Sequence, residues 1–242
     1  MDIRIEELTK TFKDRVAVDH LSLTIGQGEF FALLGENGAG KTTTIKLLSC
    51  LMEPTSGDAV MLGDSIIKEP QTVKKKLNIS PQETAVARNL SVKENLEFVA
   101  RIYGSDKKGA EQKAAELMDK FGLAARAKAK GRTLSGGLER RLSIAMALIS
   151  DPAIIFLDEP TVGLDVRARL DLWEILRGLK GQITIILTTH YLEEVEALAD
   201  RIGIMHKGKL HALGTLDELR EQTGQAKLQD IFLQLTAEEE SR

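Results

Sequence analysis

Apolar and polar residues change rhythm three times along this chain. At the start, Ile3 and Ile5, then Leu21, Leu23 and Ile25, alternate with polar residues, the period of strands with one face in water. An unbroken apolar run over residues 30–34 follows and predicts a strand buried on both faces. It leads through a glycine-rich turn into a helix predicted from about Lys41 to Leu51, closed by Glu53-Pro54 and a turn at Thr55-Ser56-Gly57. A further strand is predicted over residues 77–80.

From about Arg88 to Ser150 the pattern becomes helical. Ser91 and Glu94 have the spacing of a capping box, and an Ala/Lys/Glu-rich stretch predicts a helix from Lys107 to Lys120. Strand-helix alternation returns at Ala153, with buried strands predicted at 153–157, 184–187 and 201–205 and helices at 167–179 and 192–198 between them. Leu228, Ile231, Phe232 and Leu235 sit at helical spacing, which predicts a terminal helix docked by one face. These signals predict one α/β domain: a β lobe of short strands at its N-terminus, a parallel sheet core, and a helical lobe inserted into it. The core and β lobe take residues 1–87 and 151–225, an inserted helical lobe 88–150, the terminal helix 226–236 and an acidic tail 237–242.

Composition narrows the class. A chain of 242 residues with 43% hydrophobic content is long enough for a full core. Its 33 basic residues nearly cancel 36 acidic ones, so it lacks the basic excess of a nucleic-acid binder, and no nucleic-acid partner is expected. The single cysteine, Cys50, cannot form an internal disulfide and fits a reducing compartment as a small core residue. The N-terminus carries charges where a signal peptide needs an apolar stretch, and no window approaches a membrane span. Any membrane work is therefore expected to pass through a partner.

Two clusters carry chemistry. Gly35-Glu36-Asn37-Gly38-Ala39-Gly40-Lys41-Thr42 matches a phosphate-binding loop and lies between a buried strand and a helix, the context that the chemistry requires. Glycines let backbone N–H groups face phosphate oxygens, and the helix N-terminus adds partial positive charge. Lys41 is placed to reach the outer phosphates, the Thr42 hydroxyl to bind magnesium, and Thr43 belongs to the same cradle. The second cluster is Asp158-Glu159, at the carboxyl end of an apolar strand, where ligands of open α/β sheets bind. Asp158 would hold magnesium and Glu159 would act as general base toward water.

Leu134-Ser135-Gly136-Gly137-Leu138, followed by Glu139-Arg140-Arg141, resembles the signature loop of ATP-binding cassette (ABC) ATPases, and the resemblance spans nearly the whole chain. Ser135 is a natural N-cap, and the glycines leave amides open to an anion at the helix's positive end. The resemblance implies the P-loop NTPase (RecA-like) fold with a mixed sheet core and an N-terminal antiparallel β lobe, ATP and Mg2+ as ligands, and hydrolysis of ATP. It also implies that Ser135, Gly136 and Gly137 bind the γ-phosphate of ATP held by a second subunit, packed head to tail as a homodimer or with a paralogue. Gln82 matches the family glutamine that senses magnesium and the attacking water, His190 the switch histidine, and Asp165 the loop that communicates between the two sites. Phe12 sits where the family stacks an aromatic on adenine; the competing reading is a core phenylalanine of the β lobe.

Leu138 departs from the family glutamine at the fifth signature position, so its side chain cannot hydrogen-bond to nucleotide, and the closed dimer should be somewhat weakened. An apolar residue there, followed by an arginine pair, resembles the ABC-2 type branch that serves exporters of drugs, lipids, polysaccharides or sodium. A separate transmembrane permease and a position on the cytoplasmic face of the cell membrane are implied. An ATPase of iron-sulfur cluster assembly shares every nucleotide motif and stands as the alternative; co-purification with a six-span membrane protein would separate the two. A degenerate nucleotide-binding regulator conflicts with intact Glu159 and His190.

Overall fold

The computed structural model describes residues 3–237. Strand β1 (Ile3–Phe12) turns through Lys13 and Asp14 into β2 (Arg15–Ile25), an antiparallel hairpin in which Ile3 faces Ile25 and Phe12 faces Arg15. The inward series runs Ile3, Ile5, Leu8, one residue out of strict alternation. Register shifts on either side of Leu8, with Glu7 left-handed at φ 49, absorb the extra residue and keep Leu8 in the core.

Strand β3 (Phe30–Gly35) is buried at every position, and its alternation is internal: Phe30, Ala32 and Leu34 enter one core, Phe31 and Leu33 the other. A strand covered on both faces needs no polar side, which is why the run reads as continuously apolar. It leads into α1 (Lys41–Leu48), which stops three residues before the expected Leu51. The Ser49 hydroxyl donates back to the Ile45 carbonyl at 2.7 Å, and Cys50 turns left-handed at φ 57. Cys50 thus lies just past the helix, half-buried against the β-lobe core, and Leu51 is exposed.

The expected turn at residues 55–57 is instead the start of β4 (Ser56–Met61), which pairs along β1 opposite β2. Then come β5 (Asp64–Ser65), α2 (Pro70–Lys74) and β6 (Leu77–Ser80). The helical stretch comprises α3 (Val92–Ile102), α4 (Lys107–Lys120) and α5 (Gly136–Leu148). Alternation resumes with β7 (Ile154–Asp158), α6 (Val166–Arg177), β8 (Thr184–Thr189), α7 (Leu192–Leu198) and β9 (Arg201–His206). The chain ends in β10 (Lys209–Gly214), α8 (Leu216–Thr223) and α9 (Leu228–Ala237). The expected acidic tail overlaps α9 at Ala237 and otherwise lies outside the described residues.

Among the described residues the strands form two sheets, ordered β2-β1-β4-β5 and β10-β9-β3-β8-β7-β6. The second is parallel apart from β10 on its edge, giving a mixed sheet. Strands β6 and β7 are hydrogen-bonded neighbours, yet the whole helical lobe lies between them in sequence. The lobe is therefore an insertion at one edge of the sheet, packed through Val92, Leu96, Ala100, Ala110, Ala114 and Phe121. Small alanines on α4 let it approach α3 closely.

Asn95 fixes the entrance to this lobe. It is buried; its Oδ1 accepts from the Ala87 N–H at 2.8 Å, and its amide donates to the carbonyls of Ala87 and Ser91 at 3.1 and 2.9 Å. Asn95→Ala leaves the Ala87 N–H without its acceptor, while the Ala87 and Ser91 carbonyls keep the backbone N–H groups of residues 90 and 95, and should lower stability by roughly 1–3 kcal/mol in urea unfolding. An unchanged unfolding midpoint would show that water replaces the amide without cost.

Candidate functional site

The parallel register brings three strand ends level. Leu34 on β3 pairs with Thr189 on β8, and Thr188 on β8 pairs with Asp158 on β7. Residues just beyond these ends, Lys41, His190 and Glu159, are distant in sequence and meet over the same edge.

The loop after β3 is shaped by its backbone. Gly38 and Gly40 are left-handed at φ 85 and 105, and a Cβ on Gly40 would lie 2.3 Å from the Ala17 carbonyl oxygen. Ala39 is buried in the β-lobe core, so the loop is anchored at its middle while the side chains of Glu36 and Asn37 stay exposed. Gly40 is the N-cap of α1 and offers no side-chain acceptor, which leaves the first amides of the helix open. The Lys41 ammonium donates to the carbonyls of Gly35 at 2.7 Å and Glu36 at 3.1 Å and lies 3.3 Å from Glu159 Oε1.

Glu159 is buried and left-handed at φ 47, and its N–H donates to the Thr188 carbonyl at 3.0 Å. A non-glycine residue in this region is strained, and strain of this kind collects where a side chain must be aimed. Its Oε1 also lies 3.2 Å from His190 Nδ1, which donates when it carries the ring proton. Asp158 sits one layer below. The hydroxyls of Thr42 and Thr188 donate to its Oδ1 at 3.1 and 2.5 Å.

A cleft of about 820 Å³ opens above these groups. Of the residues expected from sequence, Phe12, Asn37, Gly38, Gly40, Lys41, Thr42, Thr43, Gln82, Glu159 and His190 line it. Gly35 and Asp158 lie beneath, while Glu36 and Ala39 line an adjoining cleft of about 320 Å³. Phe12 is 43% exposed, with the Lys10 ammonium 5.3 Å from its ring, so it is not a core residue of the β lobe. Sequence reasoning missed Arg15, whose guanidinium donates to the Gly38 carbonyl at 3.1 Å, and with it Ala17 and Val162. Only the pairing of Phe12 with Arg15 at the hairpin tip, which the sequence does not spell out, brings it to the cleft.

Ser135, Gly136, Gly137 and Asp165 do not line the cleft. They form a separate face. Ser135 Oγ accepts from the Leu138 N–H at 3.4 Å as the cap of α5, and Asp165 Oδ1 accepts from the Ala168 N–H at 2.9 Å as the cap of α6. A Cβ on Gly137 would sit 2.8 Å from the Ala168 Cβ, so the glycine lets the two helix starts touch. Ser135 and Gly136 remain exposed, whereas Leu138 packs against the main core. The buried Arg140 guanidinium donates to the carbonyls of Pro81, at 2.7 Å, and Gln82. Burial lowers its pKa, against the opposing charges of Glu139 and Asp158. Glu139 accepts from the Thr84 hydroxyl at 2.7 Å. The helix that starts at the exposed Ser135 face thus grips the Gln82 segment of the cleft.

The family profile described as "ABC transporter" matches residues 18–162. The chain belongs to this ABC transporter family. It is 38% identical over 232 residues to "Daunorubicin resistance ATP-binding protein DrrA3" of Streptomyces coeruleorubidus, covering 96% of this chain and 73% of that protein. It is 40% identical to "Linearmycin resistance ATP-binding protein LnrL" of Bacillus subtilis, covering 97% and 74%. A solved structure titled "Structure of ATP binding subunit of ABC transporter" superposes with a TM-score of 0.86 at 30% identity, over 97% of this chain and 99% of that one. These relatives agree with the export branch that the signature sequence resembles, and the fold is that of a P-loop ABC ATPase.

Gly40→Ala combines a strained φ with a backbone clash, together costing about 2–4 kcal/mol. The variant should bind ATP at least about tenfold more weakly by calorimetry and unfold at lower urea. Unchanged affinity and midpoint would mean that the loop can take another path.

Proposed function

We propose that this ABC protein is the ATP-hydrolysing subunit of an exporter, acting through a separate transmembrane permease at the cytoplasmic face of the cell membrane. The observation that carries the ATPase reading is the convergence of Lys41, Glu159 and His190, linked at 3.3 and 3.2 Å, over the open amides of α1. Exporter function is supported by the resistance proteins to which the chain is similar, which favour it over a cofactor-assembly ATPase. Among the described residues no helix is long and apolar enough to cross a membrane.

In this reading, the backbone from Gly35 to Gly40, with Thr42 and Thr43, cradles the phosphates, Lys41 neutralises their outer charge, and Phe12 stacks on adenine. Thr42 Oγ1 and Asp158 Oδ1, 3.1 Å apart, form a hard oxygen pair suited to magnesium, and Gln82 adds an amide from across the cleft. When bound, magnesium supplies charge neutralisation between the phosphates. Glu159 accepts the proton of the attacking water, and His190 holds the glutamate in place and faces the γ-phosphate. The exposed Ser135-Gly136-Gly137 face, with Asp165 beside it, serves the ATP of a second ATPase subunit in head-to-tail packing. Dimer closure then supplies the last phosphate donors and moves the helical lobe, residues 88–150, together with Gln82.

Glu159→Gln preserves shape and removes the base. ATP affinity should hold while phosphate release slows by about 10²- to 10⁴-fold, and an ATP-bound dimer should accumulate on size exclusion. Turnover at the wild-type rate would remove Glu159 from this role.

A further inference from the structure

Glu194, on α7, is fully buried, although the neighbouring Glu193 is exposed. The indole Nε1–H of Trp173, on α6, donates to its Oε1 at 3.3 Å. Its Oε2 has no hydrogen-bond partner, and neither has the buried hydroxyl of Thr161. The hydroxyls of Thr161 and Thr189 both face the Glu194 carboxyl. A buried carboxyl with an orphaned oxygen is costly to keep, and a leucine or methionine would fill such a place without that cost.

Where its neighbours lie explains what the carboxyl does. Thr161 is two residues after Glu159, in the turn closed by Val162 N–H to Glu159 O at 3.3 Å and Leu164 N–H to Thr161 O at 3.1 Å. Thr189 directly precedes His190, and its Oγ1 accepts the Tyr191 N–H at 3.0 Å. The Tyr191 ring lies 4.2 Å from that of His190, tilted by 41°. On the other side, the Arg169 guanidinium lies 5.8 and 5.6 Å from the rings of Trp173 and Tyr191.

We propose that Glu194 is a positioning residue for ATP hydrolysis, its carboxyl tying the turn that aims Glu159 to the strand end that carries His190. The inference rests on the ATPase reading given above. Burial raises the Glu194 pKa, against the facing hydroxyls of Thr189 and Thr161, the Trp173 indole N–H and the charge of Arg169. A protonated carboxyl has one O–H to donate and a carbonyl oxygen to accept from Trp173. Pairing that O–H with the Thr161 hydroxyl satisfies both orphaned atoms.

Glutamine has the same shape with an N–H donor and a carbonyl acceptor, whereas methionine fills the volume with neither. In the purified full chain, Glu194→Met should lower kcat about 10- to 100-fold, the scale of a misplaced catalytic group, and leave KM for ATP within about twofold. Glu194→Gln should recover turnover to within about threefold of wild type, because it keeps an acceptor for the Trp173 indole and a donor for the Thr161 hydroxyl. Thr161→Val, which deletes one hydroxyl and nothing else, should lower kcat in the same direction if the methionine variant does not fold. Wild-type kcat in Glu194→Met or in Thr161→Val overturns the proposal, as does Glu194→Gln failing as badly as the methionine variant. A wild-type chain that binds no ATP, or binds it without turnover, would instead overturn the ATPase reading itself.

Discussion

Everything at the site depends on the in-line register of three parallel strands. Because β3, β8 and β7 are adjacent and level, the loop before Lys41, the segment from Thr188 to His190 and the pair Asp158-Glu159 open on one edge. A slip of one residue would turn Asp158 toward the opposite face. The register is held by burial on both faces: Phe30, Ala32 and Leu34 on one side, Phe31 and Leu33 on the other, with the same division on β7. Hydrophobic packing thus sets the positions of a polar network that could not hold itself, since each buried charge in it is stable only when its partners are in place. Thr188 is the clearest instance. It is a strand residue whose backbone carbonyl receives Glu159 and whose hydroxyl bonds Asp158.

The helical lobe shares the main core with the sheet and reaches the cleft through specific polar contacts. It enters the chain between two neighbouring parallel strands, leaving the carboxyl end of β6 and returning to the amino end of β7. Arg140 holds the carbonyls of Pro81 and Gln82 from the first turns of α5, and the start of that helix rests on α6 through Gly137. In the proposed cycle, a second subunit's ATP pulling on Ser135 would be felt at Gln82 through one short, buried guanidinium. The exposure of Ser135 and Gly136, away from the chain's own cleft, is what a face serving another subunit requires.

Much of this was legible in the sequence, for reasons that differ from element to element. The phosphate loop is local: strand, turn and helix are contiguous, so Gly35 to Thr43 could be placed from pattern and chemistry together. Leu77–Ser80 and Leu192–Leu198 were expected within their observed bounds. The end of α1 was misplaced because Leu51 continues the apolar period while Ser49 and Cys50 end the helix by backbone geometry. Strand β4 was hidden because Ser56 and Gly57 read as a turn, and only pairing with β1 makes them strand. The role proposed for the Ser135 face rests on family resemblance, since nothing in its own spacing points to a ligand held by another molecule. Glu194 was invisible for a further reason. In Leu-Glu-Glu-Val-Glu-Ala-Leu three glutamates look alike, and only the packing of α7 on Trp173, Thr161 and Thr189 singles out the buried one.

The central claim is that one ATP site is assembled from two copies of this chain or from this chain and a paralogue. The most direct test for a homodimer mixes two variants that are each inactive alone: Lys41→Ala, which cannot bind its own ATP, and Ser135→Arg, which cannot serve its neighbour's. A mixed dimer contains one intact composite site, with Lys41 from one chain and Ser135 from the other. The account predicts that phosphate release, near zero for either variant, reappears on mixing and rises with the concentration of both. Release that stays at the sum of the separate variants would contradict it.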